Sequence, residues 1–234
     1  MLLPKLREEV LEANLELVRR GLVLYTFGNA SGISREASLV VIKPSGVPYE
    51  TMKLEHLVVT DLHGKTIEGN LRPSSDLATH LVLYKAFPKI GGVSHTHSEY
   101  ATAWAQARKT IPCLGTTHAD YFRGTIPVTA AIADSDIAGA YEENTGHAIA
   151  RLFENLDPAE MPAVLVANHA PFTWGATPAE ASHNAVLLET VAKLAYFALQ
   201  IHSEAKPAPS ALIDKHFSRK HGSSSSYGQP KDKE

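Results

Sequence analysis

The chain has 234 residues, of which 44% are hydrophobic and 20% charged, with a net charge of −3 at pH 7. This length is enough for one domain with a substantial core, and the charge argues against nucleic acid or an anionic membrane as a partner. Charged residues near the N-terminus argue against a signal peptide, and no apolar run reaches the about 20 residues of a membrane span. The lone Cys113 cannot form an intrachain disulfide. We therefore expect a cytoplasmic protein.

Helical and extended segments alternate along the chain. Apolar periodicity and end signals predict helices at 4–20, 75–87, 101–107, 137–153 and 177–202. Short apolar or β-branched runs predict strands at 39–42, 57–60, 93–97, 126–129 and 163–167. Interleaved strands and helices indicate a layered α/β domain. The segment from Lys206 onward, rich in Pro, Ser, Lys and Gly, has the composition of a loose tail.

Three of the 12 histidines suggest a metal site. His95 and His97 lie two residues apart on a predicted strand, so their side chains point to one face. His169 follows the strand at 163–167, and three imidazoles with an open position are typical of catalytic zinc. The alternative is a pair of surface histidines and an unrelated loop histidine, since short motifs recur by chance. We favour the metal, because two polar rings on an apolar strand need a partner.

The predicted helix start at Pro73-Ser74-Ser75-Asp76 is a second candidate. Its free backbone N–H groups and two hydroxyls suit a phosphate or a carboxylate, although the same pattern describes an ordinary N-cap. Asp76 is therefore a candidate for the site. His80 lies one turn further along and is interpreted as a packed histidine rather than a ligand.

A series of motifs along nearly the whole chain resembles the bacterial L-ribulose-5-phosphate 4-epimerases of the class II aldolase and adducin superfamily. The matching segments are Thr26–Ser31, Lys43–Gly46, Pro73–Asp76, His95–His97, Gly115–Tyr121, His169–Phe172, Asp214–His216, Arg219–Gly222 and Tyr227–Gln229. The resemblance implies an α/β/α class II aldolase-like fold, a single three-layer domain with a central, largely antiparallel sheet. It divides the chain into a catalytic domain, 1–205, and a C-terminal tail, 206–234.

The resemblance also implies roles for individual residues. Zinc, for which Mn²⁺ or Co²⁺ can substitute, would be bound by the set Asp76, His95, His97 and His169. The substrate, chiefly its phosphate, would be bound by the set Gly28, Asn29, Lys43, Ser45, Gly46, Ser74, Ser75, Thr116 and Thr117. Catalytic acid–base work would fall to Asp120 and Tyr227, with His216 as a proton relay or orienting group. Without the resemblance, Lys43 and Ser45 would be interpreted as a plain strand-to-turn exit, and Asp120 as a loop carboxylate.

The implied reaction inverts C4 of L-ribulose 5-phosphate to give D-xylulose 5-phosphate. Because C4 carries no acidic proton, the C3–C4 bond is cleaved in a retro-aldol step and formed again on the other face. Two readings compete with it. A class II aldolase acting on fuculose- or rhamnulose-phosphate typically has a glutamate at the position of Asp76. A metal-free adducin-like interaction module would not need the three histidines.

The position of Tyr227 predicts an oligomer. This tyrosine is catalytic by resemblance, yet it lies in a segment whose composition marks it as loose. A proton-transfer group must be held within hydrogen-bond reach of its target, and docking on another chain would hold it. We therefore expect a homo-oligomer, specifically a homotetramer with active sites at subunit interfaces.

Overall fold

Seven strands form one sheet within residues 1–221, the part of the chain that the computed structural model describes. They are β1 (Asn29–Ser34), β2 (Leu39–Ile42), β3 (Val58–Asp61), β4 (Thr66–Glu68), β5 (Gly92–His95), β6 (Ala163–Leu165) and β7 (Pro171–Gly175). Their order across the sheet is β4-β3-β2-β1-β5-β7-β6. Every neighbouring pair is antiparallel, which confirms the predicted central antiparallel sheet.

Helices cover both faces of this sheet. They are α1 (Pro4–Arg19), α2 (Leu77–Ala86), α3 (Glu99–Gln106), α4 (Thr116–Ala119), α5 (Asp134–Ile137), α6 (Tyr141–Leu152), α7 (Pro178–Ile201) and α8 (Ser210–His221), with short 3₁₀ helices at Tyr49–Thr51, Leu54–His56 and Phe153–Asn155. Strand β1 shows the layering, because adjacent residues of a strand point to opposite faces. Ser31 bonds to side chains of α2, whereas Gly32 lies against Leu6 of α1 and Pro178 of α7. The predicted three-layer arrangement is confirmed.

Helix α7 forms much of one layer, and its start follows from its sequence. Thr177 caps the first turn by accepting a hydrogen bond from the Glu180 N–H, and Pro178 occupies the first helical position. Among the described helices α7 alone is long and apolar enough, by length and composition, to cross a membrane. It packs against α1, α3, β5 and β7, and one such helix is weak evidence for a membrane span.

The structure differs from the predicted elements in several places. Strand β1 was not predicted, because the sequence Asn29–Ser34 is small and polar and is buried almost throughout, so no apolar alternation is visible. Strand β7 was not predicted either, because it begins with a proline, which is typical of an edge strand or a strand start rather than of a strand interior. The predicted strand at 126–129 makes only isolated bridges to Ile111 and Leu165.

The C-terminal segment differs most from its prediction. Residues 210–221 form α8, where composition suggested a loose tail. Phe217 is buried against the domain, and Arg123 bonds to Asp214 of this helix. Tertiary contacts therefore outweigh the low intrinsic propensity of the segment. The predicted division of the chain at residue 205 stays a prediction.

Candidate active site

Three histidines converge at one end of the two neighbouring strands β5 and β7. His95 ends β5, His97 follows two residues later, and His169 lies in the turn that enters β7. One ligand nitrogen from each ring can be chosen so that all three lie within 4.8 Å of one another. The Nε2 atoms of His95 and His97 are 3.2 Å apart. The predicted convergence is confirmed, although the strand ends at His95 rather than at His97.

Local structure places each of these rings. In the β5–β7 register His95 lies opposite Phe172, and the two rings stack with centroids 4.2 Å apart. The Nδ1 atom of His95 lies 2.9 Å from the Pro171 carbonyl oxygen, so Nδ1–H donates and Nε2 is left as the ligand atom. Asn168 has a φ of 62°, a left-handed conformation that asparagine tolerates. This turn directs His169 back toward the other two rings.

The electrostatics of the cluster suit a cation. Burial and the neighbouring imidazoles lower the pKa of His169 to about 4. Burial followed by the charge of His95 also lowers the pKa of His97. Both rings are therefore neutral at pH 7, which is the form that binds metal. Three converging imidazole nitrogens fit a divalent transition metal, and a catalytic metal site keeps its fourth position open for substrate.

Asp76 lies at the same site, at the start of α2. Its Oδ2 accepts a 2.6 Å hydrogen bond from the Asn29 side-chain amide, which also donates to Ser74 Oγ at 3.0 Å. Burial alone would raise the pKa of Asp76, but His95 and His80 outweigh it and the pKa lies below its ordinary value. The carboxyl group is therefore ionised. Asn29 Oδ1 is buried without a hydrogen-bond partner in the described part of the chain, so it is available to a ligand donor.

A cavity of about 370 Å³ opens above the histidines. It is lined by the three histidines and Asp76, together with Gly28, Asn29, Lys43, Ser45, Gly46, Ser74 and Ser75. Seven of the nine residues predicted to bind substrate are thus brought together with all four predicted metal residues.

The wall around Lys43 has the chemistry of an anion site. The side chain is 2% exposed, and burial lowers its pKa to about 8. Its Nζ atom lies 3.3 Å from the carbonyl oxygens of Thr26 and Pro44 and 4.6 Å from the centre of the Tyr49 ring. Gly28 adopts a φ of +74°, and a Cβ there would lie 2.8 Å from the His95 carbonyl oxygen. Only glycine fits this approach of the two backbones.

Several residues of the cavity were not predicted from the sequence. Tyr141 and Glu142, at the start of α6, line it together with Phe27. The Tyr141 hydroxyl lies 3.4 Å from His169 Nδ1, close to the limit of a hydrogen bond. Nothing in the local sequence of α6 marks these two residues, because their position depends on how α6 packs against the sheet.

Asp120 belongs to a second cluster, formed where α8 packs against the end of α4. Its side chain bonds to His216 Nδ1 at 3.0 Å and to the Arg219 guanidinium at 3.0 Å through both oxygens. Lys220 lies 3.8 Å away, and His221 Nε2 lies 2.9 Å from the Asp120 carbonyl oxygen. Burial would raise the pKa of Asp120, but the Arg219 and His216 hydrogen bonds outweigh it and lower this pKa.

The two clusters are separate within one chain. Of the described residues that line the histidine cavity, none is Thr116, Thr117, Asp120 or His216. His221, which contacts Asp120, instead lines a larger cavity of about 820 Å³ together with Gly175, at the opposite end of β7 from His169. Tyr227 lies outside the described residues. The residues predicted to bind metal and phosphate, except Thr116 and Thr117, therefore lie together, and the roles of all the predicted site residues stay predictions.

Comparisons with known proteins place this site in a family. The family model for the class II aldolase and adducin N-terminal domain matches residues 8–196. A protein of Salmonella paratyphi C named L-ribulose-5-phosphate 4-epimerase UlaF is 53% identical over 96% of this chain and 99% of its own length. A protein of the same name from Salmonella choleraesuis has the same identity and coverage.

Solved structures share the fold at lower identity. An L-fuculose 1-phosphate aldolase superposes with a TM-score of 0.77 at 26% identity, covering 91% of this chain and 94% of its own. The L-fuculose 1-phosphate aldolase from Glaciozyma antarctica PI12 gives a TM-score of 0.74 at 18% identity, covering 92% and 80%. The sheet, the histidine cluster and these relatives agree: the chain belongs to the class II aldolase and adducin family.

Proposed function

We propose that this protein is a zinc-dependent epimerase that interconverts L-ribulose 5-phosphate and D-xylulose 5-phosphate. The observation that carries the proposal is the cavity that combines three converging histidines with the Lys43 wall. Retro-aldol cleavage of a sugar phosphate can use both features, because a metal would act on the sugar oxygens and the ammonium would bind the phosphate. The similarity to proteins named L-ribulose-5-phosphate 4-epimerase, which extends over nearly the whole chain, identifies the sugar phosphate.

One zinc ion per chain would be held by His95, His97 and His169, with Asp76 near or on the metal. Imidazole ligands select zinc only loosely, so Mn²⁺ or Co²⁺ can substitute. When bound, such an ion acts as a Lewis acid toward oxygens of the substrate. The chain supports this use by supplying three imidazoles and an ionised carboxyl group on one side of an open cavity.

The phosphate end of the substrate would lie against Lys43. Ser45, Ser74 and Ser75 add hydroxyl donors, and Gly28 and Gly46 allow backbone N–H groups to approach. Lys43 is held by two carbonyl oxygens and the Tyr49 ring, so its direction is fixed before substrate arrives. A phosphate held in this way would keep the two-carbon fragment bound after cleavage, while the fragment rotates and presents its other face to C3.

Two acid–base groups must serve the C4 oxygen, one on each side. Cleavage of the C3–C4 bond leaves its electron pair on C3 and requires the C4 hydroxyl to lose its proton; re-addition returns a proton to that oxygen. We assign these transfers to Asp120 and Tyr227. Asp120 is ionised and therefore accepts a proton, and His216, bonded to it at 3.0 Å, orients it or relays the proton.

The separation of Asp120 from the histidine cavity supports an active site shared between subunits. One chain would supply the metal and phosphate residues, and residues 206–234 of a neighbour, with its Asp120 cluster, would complete the site. Thr116 and Thr117, which adjoin that cluster, would reach substrate in the same way. A head-to-tail ring repeats such an interface around its axis, and we propose a cytoplasmic homotetramer.

The test is incubation of the purified protein and zinc with L-ribulose 5-phosphate, followed by separation of the products. D-xylulose 5-phosphate should form as the main product. Free dihydroxyacetone and glycolaldehyde phosphate as main products would instead favour a class II aldolase acting on fuculose- or rhamnulose-phosphate. The aspartate at position 76 and the Asp120 cluster favour the epimerase.

Metal analysis separates both enzymes from an adducin-like interaction module. Such a module has no use for three converging histidines, and it should purify without stoichiometric zinc and bind none on titration. Stoichiometric zinc that is lost on chelation, with activity lost and restored alongside it, would exclude the module.

A further inference from the structure

Large apolar side chains are exposed in the loop between α1 and β1, which borders the mouth of the histidine cavity. Leu24, Tyr25 and Phe27 are 63%, 78% and 55% exposed. Phe27 also lines the cavity, and its ring centroid lies 6.1 Å from that of His97. A contiguous exposed apolar patch, unlike scattered single residues, indicates an interaction site. Residues 24–27 are called the rim loop below.

The backbone of the rim loop is held in place by its own chain. The hydroxyl of the buried Tyr49 lies 2.8 Å from the Gly28 carbonyl oxygen and 3.2 Å from that of Phe27. The Phe27 N–H donates to the Leu24 carbonyl oxygen at 3.0 Å and closes a turn. Within this turn Tyr25 has a φ of 54°, a conformation that a non-glycine residue adopts at a cost. A loop of fixed shape loses little conformational freedom when a partner binds it.

The substrate does not account for these exposed side chains. Neither Leu24 nor Tyr25 is among the described residues that line the cavity, so a sugar phosphate bound there would leave both exposed. Such a ligand is also polar, whereas the rim loop offers apolar and aromatic contacts. Tyrosine and phenylalanine are enriched where two proteins meet. The rim loop therefore has the character of a protein–protein contact.

A second copy of this chain is the partner that the site itself calls for. The Asp120 cluster lies on α4 and α8, away from the histidine cavity, and the proposed function assigns Asp120 to the substrate held in that cavity. A neighbour that brings its Asp120 there lies against the cavity mouth. Because Phe27 belongs both to the cavity wall and to the rim loop, the loop then falls within the same interface.

The charges of the two surfaces are complementary. Tyr141 and Glu142, at the start of α6, line the cavity together with Phe27. Within 134–150 the chain has four carboxylates and no Lys or Arg: Asp134, Asp136, Glu142 and Glu143. Helix α8 has one acidic residue against three basic ones, Asp214 against Lys215, Arg219 and Lys220. Its charge stays positive when Asp120 is included, and surfaces of opposite charge steer and orient an encounter.

We propose that the rim loop is a docking surface for a second copy of this chain, whose α4 and α8 surface closes the cavity of its neighbour. This inference rests on the proposed function, since it names the contact that completes the same shared site. The contact is heterologous, because the rim loop of one chain meets α8 of the next. Two copies of Tyr25 therefore do not meet each other.

Cross-linking between two variants tests the contact directly. The lone Cys113 is buried, so cysteines introduced at the exposed Tyr25 and Lys215 are the reactive ones. A mixture of Tyr25→Cys and Lys215→Cys chains, treated with a short bismaleimide, should give a covalent dimer, and Tyr25→Cys alone should give none. Ile67→Cys, at an exposed residue of β4, replaces Tyr25→Cys in the control mixture. Equal yields from the two mixtures, or a dimer from Tyr25→Cys alone, would overturn the proposal.

Dissociation of the oligomer, followed by analytical ultracentrifugation, measures what the rim loop contributes. Tyr25→Ser should raise the concentration at which the oligomer dissociates about tenfold or more, the effect of removing an aromatic anchor from an interface. Ile67→Ser should leave that concentration unchanged. The zinc content should match that of the wild type in both variants, because the three histidines belong to one chain.

The outcomes separate this inference from the proposed function. A wild-type chain that is monomeric at every concentration would overturn the inference and the shared site together. An oligomer that Tyr25→Ser weakens no more than Ile67→Ser does would overturn the inference alone. If the Tyr25→Cys and Lys215→Cys chains cross-link while the wild type shows no epimerase activity, the proposed function fails and the contact stands.

Discussion

The buried, charged Lys43 ammonium should lower the stability of the protein without ligand, and binding of a phosphate should restore that stability. Burial lowers the pKa of Lys43 from 10.5 to about 8, and each pKa unit corresponds to about 1.4 kcal/mol. Holding the charge in this wall therefore costs at most about 3–4 kcal/mol near neutral pH. Water in the open cavity screens part of this cost, so Lys43→Met should raise the free energy of unfolding by about 1–3 kcal/mol at pH 7. For a chain of this size the Tm should rise by roughly 3–8 °C.

The sign of the pH dependence follows from the direction of the pKa change. The folded-state pKa of Lys43 lies below its ordinary value, so the cost is complete below pH 8, declines between pH 8 and 10.5 and is absent above that range. The difference in the free energy of unfolding between Lys43→Met and the wild type should therefore disappear near pH 10.5. Thermal unfolding monitored by circular dichroism across this range measures it, with Lys5→Met, at an exposed lysine of α1, as the matched control.

Lys43→Met should weaken the binding of phosphate ligands while it raises the stability of the protein. Lys43→Met should raise the KM for L-ribulose 5-phosphate, and inorganic phosphate should stabilise the wild-type chain more than the variant. In the wild type, KM should increase as pH rises above about 8, the pKa of the free ammonium. A variant that is less stable than wild type at pH 7, or whose advantage does not change with pH, would refute the argument that a desolvated charge resides at Lys43.

Three further predictions concern the metal and the acid–base groups. His97→Asn should lose most of its zinc and its activity, and metal analysis that finds stoichiometric zinc with normal turnover would contradict the histidine site. Asp120→Asn should keep its zinc while turnover falls by a factor on the order of 10²–10⁴, the usual effect of losing a positioned acid–base group; an unchanged kcat would remove Asp120 from the mechanism. Tyr227→Phe and His97→Asn chains, each nearly inactive alone, should regain part of the activity after co-refolding, because some interfaces then combine a wild-type tail with a wild-type metal site. Mixed oligomers as inactive as their parents would place Tyr227 in its own chain's site.

The metal half of the site was predictable because its chemistry is local to the sequence. The H-x-H spacing of His95 and His97 and the position of His169 after an apolar strand were enough to predict convergence. The prediction did not use the order of the strands; in the structure β5 and β6 both pair antiparallel with β7, so they end at the same edge of the sheet. The hydrogen bond from Asn29 to Asp76 and the position of Tyr141 in the cavity could not be predicted, because both depend on how α2 and α6 pack on the sheet.

His80 shows a different limit of sequence reasoning. Its position on α2 favoured a packed histidine, and the structure does bury it completely. No feature of the sequence indicates that Ser31 satisfies one ring nitrogen or that the other lacks a hydrogen-bond partner among residues 1–221. Similarly, composition predicted a loose tail where α8 forms, because propensity does not include the contacts of Phe217 and Asp214 with the rest of the domain.

The hydrogen-bonded register of β5 against β7 positions the histidine cluster independently of most of the chain between His97 and His169. It sets His95 opposite Phe172, so the three ligands are fixed by two adjacent strands and the turns at their ends. The long excursion between His97 and His169 carries α3, α4, α5 and α6, which include Tyr141 and Asp120. Substitutions in that excursion should therefore change the groups that face the cavity while the three histidines keep their positions.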